Sequence, residues 1–149
     1  MHQWGMVLAK STIQILVVED FEPYRTFVSS LLAGNVHFQV VFEASDGLEA
    51  LEKAKQLSPD LILMDIGLPK LNGLEAARRI RELLPTSKIV FLTQETDADV
   101  VREAFNLGAS GYIFKQRTRS DLLPALAAIL QGKRFVSVGL AAESAPAND

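Results

Sequence analysis

Short apolar runs alternate with segments of helical periodicity along most of the chain, and this alternation restricts the fold more than any other feature. The runs are rich in valine, isoleucine and leucine with little polar alternation, which is typical of strands covered on both faces. They lie at residues 13–18, 40–44, 61–64, 89–92 and 112–114. The helical segments follow at residues 23–33, 47–57, 74–84, 98–107 and 121–131. Five consecutive strand–helix units predict an α/β fold with a doubly wound parallel sheet and right-handed crossovers.

The composition excludes several classes of site and protein. A length of 149 residues suits one domain. The absence of cysteine excludes disulfides, thiolate metal sites and a cysteine nucleophile, and two histidines are too few for a histidine-based metal site. A net charge of −3 gives no basic bias for binding nucleic acid unaided. No apolar run approaches the length of a membrane span, and the N-terminus does not resemble a signal peptide, so we expect a cytoplasmic protein without membrane contact.

Charged and hydroxyl side chains follow four of the five predicted strands. Glu19 and Asp20 follow the first strand, Asp65 the third, Thr93 the fourth and Lys115 the fifth. The carboxyl ends of parallel strands share one edge of the sheet, where open α/β sheets bind their ligands. We therefore expect these side chains to meet at that edge.

The chemistry of this group favours a divalent cation and a phosphoryl group. Three neighbouring carboxylates repel one another, and a hard cation relieves the repulsion. Mg²⁺, with Mn²⁺ as the alternative, prefers oxygen ligands and is usually held by one or two carboxylates together with phosphate oxygens. A carboxylate that the metal does not fully occupy can attack phosphorus and form an aspartyl phosphate. The Lys115 ammonium and the Thr93 hydroxyl would then bind the phosphoryl oxygens.

Five segments of the chain resemble the receiver domain of two-component response regulators in order and spacing. They are ILVVED, EASDGLEAL, DLILMDIGLPKLNGLEAARRIR, IVFLT and LGASGYIFK. The resemblance covers about residues 12–132 and implies a flavodoxin-like (βα)5 fold with strand order 2-1-3-4-5. Residues 1–11 are then expected to be a lead-in, and residues 133–149 a linker or C-terminal tail.

The resemblance also implies a role for each acidic residue. Asp65 matches the phosphoacceptor of the family, and Asp20 matches a direct Mg²⁺ ligand. Glu19 matches the acidic neighbour that acts through water, and the backbone carbonyl of Gly67 matches the third protein ligand.

Further matches concern the response to phosphorylation. Thr93 matches the switch hydroxyl, Lys115 the lysine that binds the phosphoryl group, and Tyr112 the aromatic switch residue. By this resemblance the threonine moves toward the phosphorylated aspartate, and the tyrosine fills the vacated space from outside. Pro69 and Gly73 match the loop that follows the phosphorylation site.

Three positions depart from the family pattern. Gln116 stands where many receivers have proline, and Gln94 stands where a small residue is common. Glu19 replaces the more usual aspartate. We expect the larger Gln94 side chain to narrow the path to Asp65, and the longer Glu19 side chain to alter the water shell of the metal.

The segment from Gly108 to Ser137 is similar to the NarL/LuxR-type subfamily. This similarity implies a histidine kinase as phosphoryl donor, a transcription-regulating output domain that binds DNA, and homodimerisation through the face formed by residues 98–107, 112–114 and 121–131. Residues 133–149 number only 17, too few for a helix-turn-helix domain. We therefore expect no DNA-binding domain in this chain, which is either part of a longer regulator or a single-domain receiver acting by protein contact.

Two other classes of protein fit parts of the same pattern. A Mg²⁺-dependent phosphatase with an aspartate nucleophile would place a second aspartate two residues later, but Gly67 occupies that position. A pseudo-receiver, which binds partners without phosphorylation, would usually lack one of the acids or the lysine. We therefore do not expect a turnover enzyme. We expect only Mg²⁺-dependent self-phosphorylation from small acyl phosphates and slow self-dephosphorylation.

Overall fold

In a computed structural model, residues 12–137 are described, and they form an α/β fold with six strands and five α-helices. The strands are β1 (Ile13–Val18), β2 (Phe38–Ala44), β3 (Leu61–Met64), β4 (Lys88–Thr93), β5 (Gly111–Phe114) and β6 (Phe135–Val136). The helices are α1 (Glu22–Ala33), α2 (Gly47–Leu57), α3 (Gly73–Leu83), α4 (Ala98–Asn106) and α5 (Thr118–Leu130). The lead-in predicted for residues 1–11 and the tail beyond residue 137 lie outside the described residues.

The strands form one parallel sheet in the order β2-β1-β3-β4-β5-β6. The first five strands have the predicted flavodoxin-like order. Val18, at the end of β1, is level with Ala44 and Met64, and Thr93 is level with Phe114. This register brings the residues that follow β1, β3, β4 and β5 to a single edge.

The helices cover both faces of the sheet because successive strand residues point to opposite sides. On one face, β-strand residues such as Val17 and Leu63 pack with Val28 and Leu32 of α1 and with Leu122 of α5. The opposite face packs against α2, α3 and α4. No helix within residues 12–137 is long and apolar enough to cross a membrane.

Side-chain caps explain where three of the helices begin. Asp46, Asn72 and Asp97 each accept a hydrogen bond from a backbone N–H in the first turn of α2, α3 and α4, respectively. Helix α5 begins at Thr118, three residues before the predicted start. A single 3₁₀ turn at Lys115–Arg117 leads directly into it.

Two glycines hold the loop that follows β3 close to its neighbours. A Cβ atom at Gly73 would lie 2.1 Å from the backbone oxygen of Asp65, and one at Gly47 would lie 1.7 Å from that of Leu71. The N–H of Gly47 also donates to the carbonyl oxygen of Pro69 at 3.2 Å. A larger side chain at either glycine would therefore force the loop away from the sheet edge.

The sixth strand is a feature that the sequence analysis did not predict. Phe135 and Val136 pair with Gly111 and Tyr112 of β5, so the sheet gains one strand of two residues that lies beyond the predicted domain boundary at residue 132. The Arg134 guanidinium lies 5.6 Å from the centre of the Phe105 ring on α4. Residues 134–137 therefore cover the edge of β5.

A buried polar cluster fixes the end of this segment. Ser137 Oγ donates to Asp121 Oδ2 at 2.9 Å and accepts from the N–H of Phe114 at 3.0 Å. Although burial would raise the pKa of Asp121, hydrogen bonds from Arg117, Ser137 and Ser120 outweigh it and lower that pKa below its ordinary value of 3.8. The ionised carboxylate therefore stabilises the folded state.

We expect Gly73→Ala to lower the free energy of unfolding by about 3 kcal/mol, because the new methyl group would overlap backbone atoms. The matched control is Gly67→Ala, since nothing lies within 4 Å of the added methyl group. The control should change the unfolding free energy by less than about 1 kcal/mol. Urea denaturation measures both, and equal effects of the two substitutions would contradict the close packing of this loop.

We expect Asp121→Asn to lower the free energy of unfolding at pH 7 by about 2 kcal/mol, since charged hydrogen bonds are lost in a buried position. The pKa of Asp121 is depressed on folding, so its contribution is complete above pH 3.8 and disappears as the pH falls through the folded-state pKa. The difference between wild type and variant should therefore shrink in urea denaturation at pH 3.

Asp99→Asn provides the control for this pH dependence. Asp99 also lies in the first turn of a helix and pairs with an arginine, but its side chain is 88% exposed. The Asp99→Asn substitution should change the unfolding free energy by less than about 0.5 kcal/mol. A loss as large as that of Asp121→Asn would show that the buried cluster has no special role.

Candidate functional site

Three carboxylates meet where β1 and β3 end. Oxygen atoms of Glu19, Asp20 and Asp65 all lie within 4.8 Å of one another. Glu19 and Asp65 are buried, whereas Asp20 is exposed. The neighbouring positions of β1 and β3 in the sheet produce this cluster, as the strand-end prediction requires.

Among the described residues, Lys115 supplies the only ammonium group that contacts this cluster. Its Nζ atom lies 2.8 Å from Glu19 Oε1 and 3.0 Å from Asp65 Oδ2. Burial alone would lower the pKa of Lys115, but the interactions with Glu19 and Asp65 outweigh it and raise the pKa. The lysine is therefore held in its charged form between two buried acids.

Glu19 is the more strongly desolvated acid. Burial raises its pKa above the ordinary value, although Lys115 and the backbone N–H of Phe21 act in the opposite direction. The Phe21 N–H donates to Oε2 at 3.0 Å, and Arg25 donates to the backbone oxygen of Glu19 at 2.7 Å. The start of α1 therefore orients Glu19.

Asp65 has both carboxylate oxygens in contact with donors. The N–H of Ile66 donates to Oδ1 at 2.7 Å, and Lys115 donates to Oδ2 at 3.0 Å. The side chain remains 10% exposed and faces a cavity of about 600 Å³, which Gly67 and Thr93 also line. One carboxylate of the cluster is thus both oriented and accessible to a small group.

Thr93 and Tyr112 both form hydrogen bonds with the loop after β4. The Thr93 hydroxyl accepts from the N–H of Glu95 at 3.1 Å, and the Tyr112 hydroxyl donates to the carbonyl oxygen of Glu95 at 2.8 Å. Burial, together with nearby acidic residues, raises the pKa of Tyr112 well above its ordinary value. Glu95 therefore links the two residues through its backbone, a role that sequence reasoning missed although it lies only two residues after Thr93.

Tyr112 already lies inside the fold, whereas the resemblance implies that it moves inward from outside once Thr93 has moved. Its side chain is completely buried, and its ring packs against Phe91 at a centroid distance of 6.3 Å. The inward position is favoured because it buries the ring while the carbonyl oxygen of Glu95 accepts from the hydroxyl.

The donor set fits a hard divalent cation. All the candidate side-chain ligands are carboxylate oxygens, the donor type that Mg²⁺ prefers. Lys115 balances only one of the three negative charges when all the acids are ionised. Asp20 is exposed and is not among the acids that Lys115 contacts, so its oxygens are available to a cation from solution.

Sequence reasoning also missed two neutral residues beside the lysine. Tyr24 places its ring 4.9 Å from Lys115 Nζ, and its hydroxyl lies 2.5 Å from Thr118 Oγ1. Tyr24 belongs to the first turn of α1, where its spacing is that of an ordinary core residue. Only the packing of α1 beside α5 reveals the contact.

Comparison with known proteins agrees with this arrangement. Residues 15–127 match the response regulator receiver domain family. The chain is 35% identical over 127 residues to the transcriptional regulatory protein DegU of Brevibacillus brevis, covering 85% of this chain and 54% of that protein. It is 34% identical over 133 residues to the response regulator GacA of Pseudomonas viridiflava, covering 89% of this chain and 62% of that protein. The chain thus spans little more than half the length of these relatives.

A solved structure shows the same fold at similar identity. A two-component response regulator of the LuxR family from Aurantimonas is 34% identical, with a TM-score of 0.83 over 88% of this chain and 94% of that one. Receiver domains of this kind bind Mg²⁺ at an acidic pocket, and Glu19, Asp20 and Asp65 form such a pocket here. The chain therefore belongs to the receiver domain family of two-component response regulators, and within it to the NarL/LuxR-type group.

Proposed function

We propose that this chain accepts a phosphoryl group on Asp65 from the phosphohistidine of a partner kinase. The observation that carries this proposal is the Asp65 carboxylate, held by Lys115 at 3.0 Å at the centre of the acidic cluster and open to a cavity. An Asp65 oxygen forms a bond to phosphorus as the phosphorus–nitrogen bond of the donor breaks. The electron pair of that bond leaves with the imidazole nitrogen, which takes up a proton from water.

Asp20, Asp65 and the backbone carbonyl of Gly67 would hold Mg²⁺ or Mn²⁺, with Glu19 acting through water. When bound, the cation supplies positive charge that offsets the repulsion between the acids and the phosphoryl oxygens. Lys115 binds one phosphoryl oxygen and keeps the group in place. Phosphoryl transfer depends mainly on such positioning and charge neutralisation.

The signal leaves the site through the loop after β4. The Thr93 hydroxyl turns from the N–H of Glu95 toward the phosphoryl oxygens, and this turn releases one of the two bonds that hold the loop. The other bond, from the Tyr112 hydroxyl to the carbonyl oxygen of Glu95, transmits the change to β5 and α4. The charge added at Asp65 therefore shifts the balance between two arrangements of the face formed by α4, β5 and α5.

The output of this switch is control of transcription by a domain outside this chain. DegU and its relative LnrK of Bacillus subtilis are both transcriptional regulatory proteins, and the chain spans 54% and 60% of them. DNA would be reached only through that further domain. A homodimer formed on the α4-β5-α5 face would include residues 134–136 in its contact, since β6 lies on this face.

Two features oppose the alternative functions. Gly67 has no side chain to serve as the acid or base of a phosphatase, which supports a single transfer over sustained turnover. The cluster retains all three acids and the lysine, which supports phosphorylation over a pseudo-receiver.

We expect incubation with acetyl phosphate and Mg²⁺ to add about 80 Da to the intact protein, the mass of one phosphoryl group replacing a proton. Asp65→Asn should abolish the adduct because the nucleophilic oxygen is lost. The control is Asp99→Asn. It should retain the adduct, because the Asp99 side chain is exposed and does not belong to the acidic cluster. Intact-protein mass spectrometry measures the adduct. An adduct that persists in Asp65→Asn would refute the assignment of Asp65 as the phosphoacceptor.

We expect Asp20→Asn to weaken Mg²⁺ binding by at least about tenfold in calorimetric titration, since a charged ligand becomes neutral. Asp46→Asn is the matched control, because Asp46 also follows a strand but caps α2 outside the cluster, and asparagine caps equally well. Chelation of the metal should also abolish the acetyl phosphate adduct in wild type. Equal Mg²⁺ affinity of the two variants would exclude Asp20 as a ligand.

A further inference from the structure

Tyr24 contacts the side chain of Lys115 directly and reaches its backbone through Thr118. The lysine ammonium lies 4.9 Å from the centre of the Tyr24 ring. The Tyr24 hydroxyl lies 2.5 Å from Thr118 Oγ1, and the Thr118 hydroxyl donates to the backbone carbonyl of Lys115 at 2.7 Å. One aromatic residue of α1 is therefore connected to the side chain and to the backbone of the lysine in the site.

The direction of these hydrogen bonds follows from the number of protons. A threonine hydroxyl has one proton, and Thr118 uses it to donate to the Lys115 carbonyl. The Tyr24 hydroxyl must therefore be the donor to Thr118. The resulting chain runs from Tyr24 through Thr118 to the Lys115 carbonyl, and it fixes the 3₁₀ turn at Lys115–Arg117 against α1.

The ring contact restricts where the ammonium can go. Lysine carries its charge on a flexible stem of four carbons, so its side chain does not hold one position without support. Glu19 and Asp65 attract the ammonium from the acidic side, at 2.8 and 3.0 Å. The Tyr24 ring attracts it as well, since the face of an aromatic ring binds cations.

The contact between the Tyr24 ring and the ammonium matters most while Asp65 is being phosphorylated. The salt bridge from Lys115 to Asp65 must give way to a contact with a phosphoryl oxygen during the transfer. The Tyr24 ring is neutral and is not altered by the reaction, so it continues to hold the ammonium near the site throughout.

We propose that Tyr24 is a positioning residue for Lys115, with the ring aligning the ammonium toward the phosphoryl group on Asp65 and the hydroxyl fixing the lysine backbone through Thr118. The kinetic part of this inference rests on the proposed phosphoacceptor function. The geometric part does not, because it concerns only the placement of the lysine.

The geometric part is tested by NMR on the unphosphorylated protein with Mg²⁺ absent. A proton above an aromatic face is shifted upfield, so the Cε and Nζ protons of Lys115 should be displaced from ordinary lysine positions. The variant Lys115→Arg identifies the signal. Tyr24→Phe should keep the displacement because it keeps the ring, and Tyr24→Leu should abolish it.

The kinetic part is tested by the rate at which acetyl phosphate forms the mass adduct at saturating Mg²⁺. We expect Tyr24→Leu to be about 3- to 30-fold slower than wild type, since a partly desolvated cation–π contact is lost. Tyr24→Phe should recover most of that rate. Phe42→Leu is the matched control: it removes an aromatic ring that lies against a different lysine, Lys53, outside the site, and its rate should equal that of wild type.

The outcomes separate the two proposals. If wild type forms no adduct, the phosphoacceptor function fails, and the Lys115 displacement still decides whether Tyr24 positions the lysine. If wild type shows no displacement, or if Tyr24→Leu and Phe42→Leu react at the same rate, the positioning role is overturned. Should Tyr24→Leu fail to fold, the displacement in wild type and in Tyr24→Phe supplies the decision.

Discussion

The structure depends on one electrostatic arrangement, in which the Lys115 ammonium lies between the buried carboxylates of Glu19 and Asp65. Two acids so close would resist joint ionisation without a cation between them. The lysine supplies one positive charge, but Asp20 adds a third acid that the lysine does not contact. The lysine therefore offsets part of the repulsion within the cluster, and the remaining negative charge is what the proposed divalent cation would neutralise.

The backbone makes this arrangement possible. Parallel strands end level with one another, so residues far apart in sequence arrive at one edge without long loops. Gly47 and Gly73 allow the loop after β3 to pack against α2 and against the Asp65 backbone. Close backbone packing thus holds Asp65 in place, while Thr93 and Tyr112 form hydrogen bonds with the loop after β4.

The five strands and the meeting of the acids with Lys115 could be predicted from sequence, because strand periodicity and strand ends are local signals. The order of the strands in the sheet followed from the resemblance to receiver domains. The sixth strand could not, since Phe135 and Val136 are too short a run to show periodicity. They pair with β5 next to the hydrogen bond between Ser137 and Asp121, residues that lie 16 positions apart in the sequence. The inward position of Tyr112 likewise depends on a carbonyl oxygen 17 residues away in sequence. Such features arise from packing and leave no pattern in the chain.

The most direct test of the account is a crystal structure of the chain determined with Mn²⁺, whose anomalous scattering identifies the ion. Carboxylate oxygens bind Mn²⁺ much as they bind Mg²⁺. We expect a single anomalous peak within ligand distance of Asp20 and Asp65, with the Lys115 ammonium still at about 3 Å from the Asp65 carboxylate. Absence of the peak, with the three acids directed apart and Lys115 turned into solvent, would contradict the account.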